Sequence, residues 1–291
     1  MAVATKIYWW SPLRRASDLR HELVGAPRAW GHQYLRTRRL FKNFGDEFSP
    51  IGWEIATGRQ ARWASPQAAD VFAVGSILEH ALARAAGAVI WGTGARGELD
   101  RAARLPGSVR VVAVRGPLTA KSLQVTNVAM GDPGLLVGQA VSSGTPRVSG
   151  RRVFVPHYRT TQTREGRSTL AAARSSGFSI VLPGLTPREV AQEIAQSQLV
   201  VTTSLHGLVF ANALDRPCQF IAPPADEPTF KYRDYCGSLG VDYAPVDQAV
   251  ALGATRAVDA LERSIADQAV IASKLPAVLE ALVAAAKGAE L

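Results

Sequence analysis

The stretch Leu199-Val200-Val201-Thr202-Thr203-Ser204-Leu205-His206-Gly207-Leu208-Val209-Phe210-Ala211-Asn212-Ala213-Leu214 decides how the rest of the chain is read. Its first five residues have the length and β-branched composition of a buried parallel strand. A small polar residue follows, then one histidine beside a glycine, then a helix-compatible segment. That order puts His206 where a strand ends and a helix begins. Open α/β sheets bind ligands outside the carboxyl ends of their strands, and a helix N-terminus at that edge favours anions. A histidine packed into a core helix would fit the same segment equally well, so residues elsewhere must decide.

Outward from this segment the same alternation repeats. In the second half, residues 152–158 form a predicted strand ending in His157, 168–176 a helix, and 178–182 a strand. Thr186-Pro187-Arg188-Glu189 starts a helix that runs to 197, with Thr as N-cap and Pro at the first position. Residues 218–221 are a further strand, and Lys231 begins a helix that stops at Gly240. From 256 onward the chain is Ala-rich and amphipathic, with a break expected at Pro276. In the first half, 6–10, 70–74, 88–91, 110–114 and 127–130 read as strands, with helices over 77–86 and 117–123. Residues 11–42 read as a long basic loop. Asn43-Phe44-Gly45-Asp46 is a turn whose glycine would let backbone approach a ligand and whose Asp46 presents a carboxylate. Ser49 is the expected N-cap of a helix that ends at Gly58. The Gly/Ser/Pro-containing stretch 141–150 is the clearest linker. Alternating short strands and helices imply an α/β fold with parallel sheets. We expect two Rossmann-like domains, 1–145 and 146–291, facing a cleft and closed by C-terminal helices.

The length of 291 residues suits two domains, and 47% hydrophobic with 20% charged residues is a globular composition. Two cysteines, Cys218 and Cys236, are too few for a disulfide framework and lack metal-site spacing. The first ten residues lack a signal-peptide pattern, and no uninterrupted apolar run approaches the ~18 residues of a spanning helix. A cytoplasmic protein is expected. The net charge is +9, and residues 1–62 hold eleven Lys/Arg against five Asp/Glu, including the cluster Arg36, Arg38, Arg39 and Lys42. No zinc-finger spacing or RNA-binding strand signature accompanies this charge, which argues against nucleic acid as a partner. A basic face suited to peripheral contact with an anionic membrane, or with a lipid-linked anionic acceptor, accounts for it better.

Several chemistries are excluded by their missing patterns. No GxGxxG fingerprint is complete, no nucleophile elbow is present, and no His/Cys/Asp/Glu group has metal spacing. The strand ends and one helix start offer cations instead: Arg115, His157, Arg159, His206, Lys231 and Arg233. Such a set suits a ligand bearing phosphate and carboxylate groups.

Five motifs stand in order: Asn43-Phe44-Gly45-Asp46, Val114-Arg115-Gly116-Pro117-Leu118, Gly131-Asp132-Pro133-Gly134-Leu135-Leu136, Ser204-Leu205-His206-Gly207 and Lys231-Tyr232-Arg233-Asp234-Tyr235. Together they resemble the polysaccharide pyruvyl transferase family, and within it the bacterial exopolysaccharide ketal-pyruvate transferases. The resemblance implies a two-domain fold like the GT-B glycosyltransferases, with the acceptor on the N-terminal side and the donor on the C-terminal side. It implies transfer of pyruvate from phosphoenolpyruvate to two hydroxyls of one sugar, as a cyclic ketal, with release of phosphate. The acceptor would be a cell-surface or exported polysaccharide or its lipid-linked precursor. Phosphoenolpyruvate is then a co-substrate, with no further cofactor and no metal.

In that scheme His206 protonates the methylene, while Arg115 and Lys231 hold the phosphate and carboxylate. His157 or Asp46 serves as base. Asn43, Gly45, Asp46, Asp132, His157, Arg159, Ser204, Gly207 and Arg233 are the expected substrate-binding residues. Family members often carry Arg where this chain has Ser204; Arg159 or Arg233 could replace that cation. Two other readings share these features. A GT-B glycosyltransferase using a nucleotide sugar would need a late acidic residue for the ribose, with Glu227 as the candidate. A non-catalytic basic scaffold of a polysaccharide assembly complex would not need His206 at all.

Overall fold

The computed structural model describes residues 4–82, 87–100, 105–141, 145–222, 228–253 and 257–289. Within them the first six strands are β1 (Thr5–Tyr8), β2 (Ala61–Trp63), β3 (Val71–Phe72), β4 (Val89–Trp91), β5 (Arg110–Val114) and β6 (Ala129–Met130). They form one sheet in the order β2-β1-β3-β4-β5-β6. The remaining four are β7 (Arg152–Val155), β8 (Ser179–Ile180), β9 (Leu199–Thr202) and β10 (Cys218–Phe220), in the order β10-β9-β7-β8. All the strand pairs are parallel, with Val153 opposite Val200 and Ile7 opposite Val71.

The strand order sets where a ligand can enter. From β1 the chain passes to β2 on one side and then returns to β3 on the other; from β7 it passes to β8 and returns to β9. Each reversal opens a crevice at the carboxyl ends of the two strands, between β1 and β3 and between β7 and β9.

Each sheet has two buried faces, as parallel sheets require. Ile7, Val71, Val89 and Ala113 from the first sheet share one apolar cluster with Val153, Val155 and Val200 from the second. The opposite faces have clusters of their own, around Tyr8, Phe72 and Ile90 in one case and Phe154, Val201 and Ile221 in the other. The two sheets therefore share one core cluster in addition to the one that each owns. Trp53 and Trp91 meet edge to face at 5.3 Å in that shared core. Both indoles are hydrogen-bonded: Trp53 Nε1 donates to Thr5 Oγ1, and Trp91 Nε1 to the Leu282 carbonyl.

Eleven α-helices surround the sheets in the described residues: α1 (Ala16–Gly25), α2 (Pro27–Thr37), α3 (Ser49–Thr57), α4 (Leu78–Leu82), α5 (Pro117–Leu123), α6 (Arg164–Ser175), α7 (Pro187–Ala195), α8 (Leu205–Ala213), α9 (Phe230–Leu239), α10 (Gln248–Leu252) and α11 (Ala257–Lys287). The capping box at Thr186 and Glu189 forms as expected, and Gly58 and Gly240 close α3 and α9 in the left-handed conformation.

Three expectations are corrected, and one strand was not anticipated. Residues 11–42 are not a loop, because α1 and α2 occupy most of them; Trp30 packs with Phe41 and Tyr158 in a small aromatic cluster that holds the pair down. Ser49 does not cap α3. A 3-10 turn over Asp46–Phe48 runs straight into the helix, and the Ser49 hydroxyl accepts from the Val74 N–H instead. The three residues of β2 carry no apolar run, and they pair at the sheet edge beside β1. Pro276 does not break the C-terminal helix: α11 continues through it. Proline φ is itself helical, and the loss of about 3 kcal/mol at an interior proline is opposed by burial of Ile271, Leu282 and Ala286. By length and composition α11 is also apolar enough to cross a membrane, although those three residues face the protein core. Residues 83–86 of the predicted helix over 77–86, and 142–144 of the linker, lie outside the described residues.

Candidate active site

Residues that follow the strands at both crevices line one cavity of about 780 Å3, a volume in the range of small-molecule sites. Trp10 follows β1 and Ser76 follows β3; His157 follows β7, and Thr203 and Ser204 follow β9. Asp46 enters from the turn before α3, and Lys231 from the first turn of α9.

His206 is the second residue of α8. Ser204 caps that helix, its Oγ accepting the Gly207 N–H at 3.4 Å while its own N–H donates to Thr202 Oγ1 at 2.9 Å. The imidazole lies between two buried carboxylates, with Nδ1 3.8 Å from Asp46 Oδ1 and Nε2 3.7 Å from Asp132 Oδ2. Asp132 Oδ1 accepts the Gly134 N–H at 2.8 Å. Its Oδ2 and His206 Nε2 are both buried and have no hydrogen-bond partner among the described residues. Asp132 Oδ2 is the acceptor that faces Nε2, at a separation longer than a hydrogen bond. Nδ1 is the nitrogen beside Asp46.

Two glycines make this packing feasible. A Cβ on Gly45 would fall inside the His206 imidazole. Gly75 has φ of 117°, and a Cβ there would stand 2.6 Å from Asp46 Oδ2. The Asn43–Asp46 turn was expected to bring backbone to a ligand; its glycine instead brings backbone to the histidine.

Burial raises the Asp46 carboxyl to about 7, with the neighbouring Asp132 adding to the rise and His206, Asn43 and Lys231 opposing it. His157 moves the other way. Burial and then the positive charges of Lys231, Arg159, His206 and Arg96 lower it to about 3. Its Nδ1 accepts the Arg159 N–H at 3.3 Å, so the neutral ring carries its proton on Nε2. The cavity thus holds a cationic side, Arg96, Arg159 and Lys231, around a neutral histidine. Arg159 also donates to the buried Glu22 at 2.7 Å, and Lys231 lies 4.9 Å over the Tyr232 ring.

Of the residues expected at the site, Asn43, Asp46, His157, Arg159, Ser204, His206 and Lys231 line the cavity. Asp132 lies behind His206, and Gly45 packs against the imidazole. Three lie elsewhere. Arg115 is fully buried, with Nε on Asp234 Oδ2 at 3.1 Å, Nη1 on Ser76 Oγ at 2.7 Å and Nη2 on the Ala95 carbonyl at 2.5 Å. It is not among the cavity-lining residues. Arg233 is exposed, away from the cavity. Gly207 packs against Thr202 and Val155, where helix and strand approach too closely for a Cβ. Glu227 lies outside the described residues.

The sequence reading missed Arg96 and the α1 residues Asp18, His21 and Glu22, all of which line the cavity. Arg96 had a legible signal, because it follows Gly92-Thr93-Gly94-Ala95 at the end of β4, the same kind of position that singled out His206. The α1 residues had none once 11–42 was read as loop. Among the described residues no group of three or more His, Cys, Asp or Glu is arranged to hold a metal ion.

Comparison with known proteins adds two findings. The model of a family described as polysaccharide pyruvyl transferase matches residues 5–223, which include every strand-end residue of the cavity, while Lys231 lies beyond the match. The succinoglycan biosynthesis protein ExoV of Rhizobium meliloti (strain 1021) is 29% identical over 206 residues, 70% of this chain. The matched region spans 63% of that relative's length, less than two thirds.

Proposed function

The chain belongs to the polysaccharide pyruvyl transferase family, and from that premise we propose that it transfers pyruvate from phosphoenolpyruvate to a sugar of an exported or cell-surface polysaccharide, or of its lipid-linked precursor. The observation that carries the proposal is the row Asp132–His206–Asp46 standing beside the cations Arg96, Arg159 and Lys231 in one cavity.

Phosphoenolpyruvate presents a phosphate and a carboxylate, and fixed cations in a partly dry cavity bind such groups strongly. Arg96, Arg159 and Lys231 supply them, and the Nε2–H of neutral His157 adds an uncharged donor. Arg115 is then a positioning residue: its hydrogen bond to Ser76 steadies the cavity wall.

The chemistry needs a proton on the methylene carbon. His206, carrying a proton on each ring nitrogen, gives the one on Nδ1, and Asp132 faces the Nε2–H that stays behind. The double bond's electron pair forms the new C–H bond, which leaves the central carbon electrophilic. One sugar hydroxyl adds there and loses its proton; Asp46, raised to about 7, is suited to take it. The second hydroxyl then forms the second C–O bond as the carbon–phosphate oxygen bond breaks. Phosphate leaves with the bonding pair and the second hydroxyl's proton. Asp46 passes the first hydroxyl's proton back to His206 Nδ1 beside it, which restores both groups, and the products are a cyclic ketal and phosphate.

A cavity at the carboxyl edges of two parallel sheets fits a GT-B-like arrangement of two Rossmann-like units, divided near residue 145, with the donor in the second. The two cysteines are free thiols, which suits a reducing compartment and a cytoplasmic enzyme.

The test incubates the protein with phosphoenolpyruvate and a panel of polysaccharide and lipid-linked oligosaccharide acceptors. Phosphate release and a ketal mass gain on the acceptor are expected. Nucleoside diphosphate release from sugar nucleotides, with no phosphate from phosphoenolpyruvate, would sink the proposal.

A further inference from the structure

The α1–α2 pair has two sides of opposite character. Asp18, His21 and Glu22 of α1 line the cavity, and the two acids of this segment are engaged there: Asp18 with Arg15, Glu22 with Arg159 and Tyr158. The other side is basic and apolar. Arg20, Leu23 and Val24 recur at helical spacing on α1, and Arg28, His32 and Leu35 on α2, all of them exposed. Val24 is 73% exposed and Leu35 is 70% exposed. Five of the ten exposed large hydrophobics among the described residues fall between Leu23 and Leu40, so the apolar surface is concentrated rather than scattered.

Charge separates this surface from the other apolar one. Residues 11–42 carry eight Lys/Arg and two Asp/Glu. Arg20, Arg28 and Arg36 pair with no carboxylate among the described residues. The exposed Val258, Ile265 and Val270 of α11 instead stand on a helix with four acids and three bases. Cationic side chains mixed with a few protruding aliphatic ones, on a short helix pair, match the interface of an anionic bilayer, which offers negative headgroups over an apolar layer.

We propose that the outer side of α1 and α2 docks on an anionic lipid bilayer. Arg20, Arg28 and Arg36 meet the headgroups, and Val24 and Leu35 enter the boundary with the acyl chains. Docked this way, α1 stands between the lipid surface and the cavity it lines. The surface is independent of the pyruvyl transfer proposal, since none of these five residues lines the cavity.

The full chain is sedimented with vesicles of phosphatidylcholine alone and of phosphatidylcholine with about 30% phosphatidylglycerol. Binding is expected to the second only, and to be lost at high salt. The variant R20Q/R28Q/R36Q weakens it about a hundredfold, near fivefold for each charge. The same three positions changed to Lys retain it, because the attraction is not geometric. V24S/L35S weakens it with net charge unchanged. Thermal melting and phosphate release with a water-soluble acceptor stay at wild-type values in all three. Equal sedimentation with both vesicle types, or binding indifferent to these substitutions, overturns the proposal. So does a concentration-dependent dimer in sedimentation velocity that V24S/L35S abolishes without any vesicle binding, since the patch would then join two copies of the chain.

Discussion

Arg115 with Asp234, and His206 with Asp46 and Asp132, are two charged assemblies taken out of water, and they are satisfied in opposite ways. Every nitrogen of the Arg115 guanidinium has a partner, and both Asp234 oxygens are held, Oδ1 by the Thr119 N–H at 2.9 Å and Oδ2 by the Thr119 hydroxyl at 2.6 Å. At His206 the facing atoms stand 3.7 and 3.8 Å apart, and two of them have no hydrogen-bond partner among the described residues. A buried polar group left unmatched costs about 1–3 kcal/mol. A completed pair like Arg115–Asp234 fixes α9 to α5, whereas the incomplete one leaves polar atoms unmatched beside the cavity. Sequence motifs flagged both, and only the hydrogen-bond pattern tells them apart.

Substitutions can break that distinction. His206→Ala is expected to lower kcat by at least about 100-fold, the scale of losing a general acid, with little change in melting temperature. Wild-type phosphate release from that variant would mean His206 has no chemical role. Arg115→Met should act on stability instead, by about 3–5 kcal/mol, because it strands the Asp234 charge in the core. Denaturant unfolding measures this, and a folded variant with only a raised KM for phosphoenolpyruvate would make Arg115 a donor ligand.

The pH profile sharpens the comparison. With Asp46 raised to about 7, kcat should change near that pH, and Asp46→Asn should remove the change. Stability follows the same shift with a fixed sign. The folded protein holds the Asp46 proton more tightly than the unfolded chain, whose carboxyl titrates near 3.8. The stability from this group is full below that value and is lost as pH rises towards 7. His157 runs oppositely, from 6.5 to about 3: its stability is present above 6.5 and is lost as pH falls. Chemical denaturation between pH 4 and 8 of wild type and Asp46→Asn checks the first sign. The smallest effect is expected at Ser204→Ala, about 1 kcal/mol for a lost helix cap. A much larger loss of activity than of stability would mean that the Ser204 hydroxyl meets the donor directly.

Much of the architecture was legible. Nine strands fell in stretches read as strands, because parallel strands buried on both faces leave short apolar runs that need no context. The positions of His206 and His157 at strand ends followed from the same pattern, while Asp46 and Lys231 joined the expected site through the family resemblance. The α1–α2 pair was not legible. Its sequence is arginine-rich with few apolar residues, and it is held by Trp30 packing on Phe41 and Tyr158, the latter 128 positions away. Cavity residues on α1 disappeared with it. Arg115 was misread for a related reason: its partner Asp234 lies 119 positions along the chain.

By itself the sequence determined the parallel α/β fold, the strand ends that carry chemistry, and the residue types suited to an anionic ligand. Hydrophobic periodicity and turn residues are local, so one short window contains the whole signal. Only the tertiary structure decided which charges face the cavity and which are neutralised behind it, that Asp46 and Asp132 flank His206, and that a Cβ at Gly45 would overlap the imidazole. Those outcomes depend on distances of a few ångströms between segments far apart in the chain, where hydrogen bonding and desolvation act and no local pattern records them.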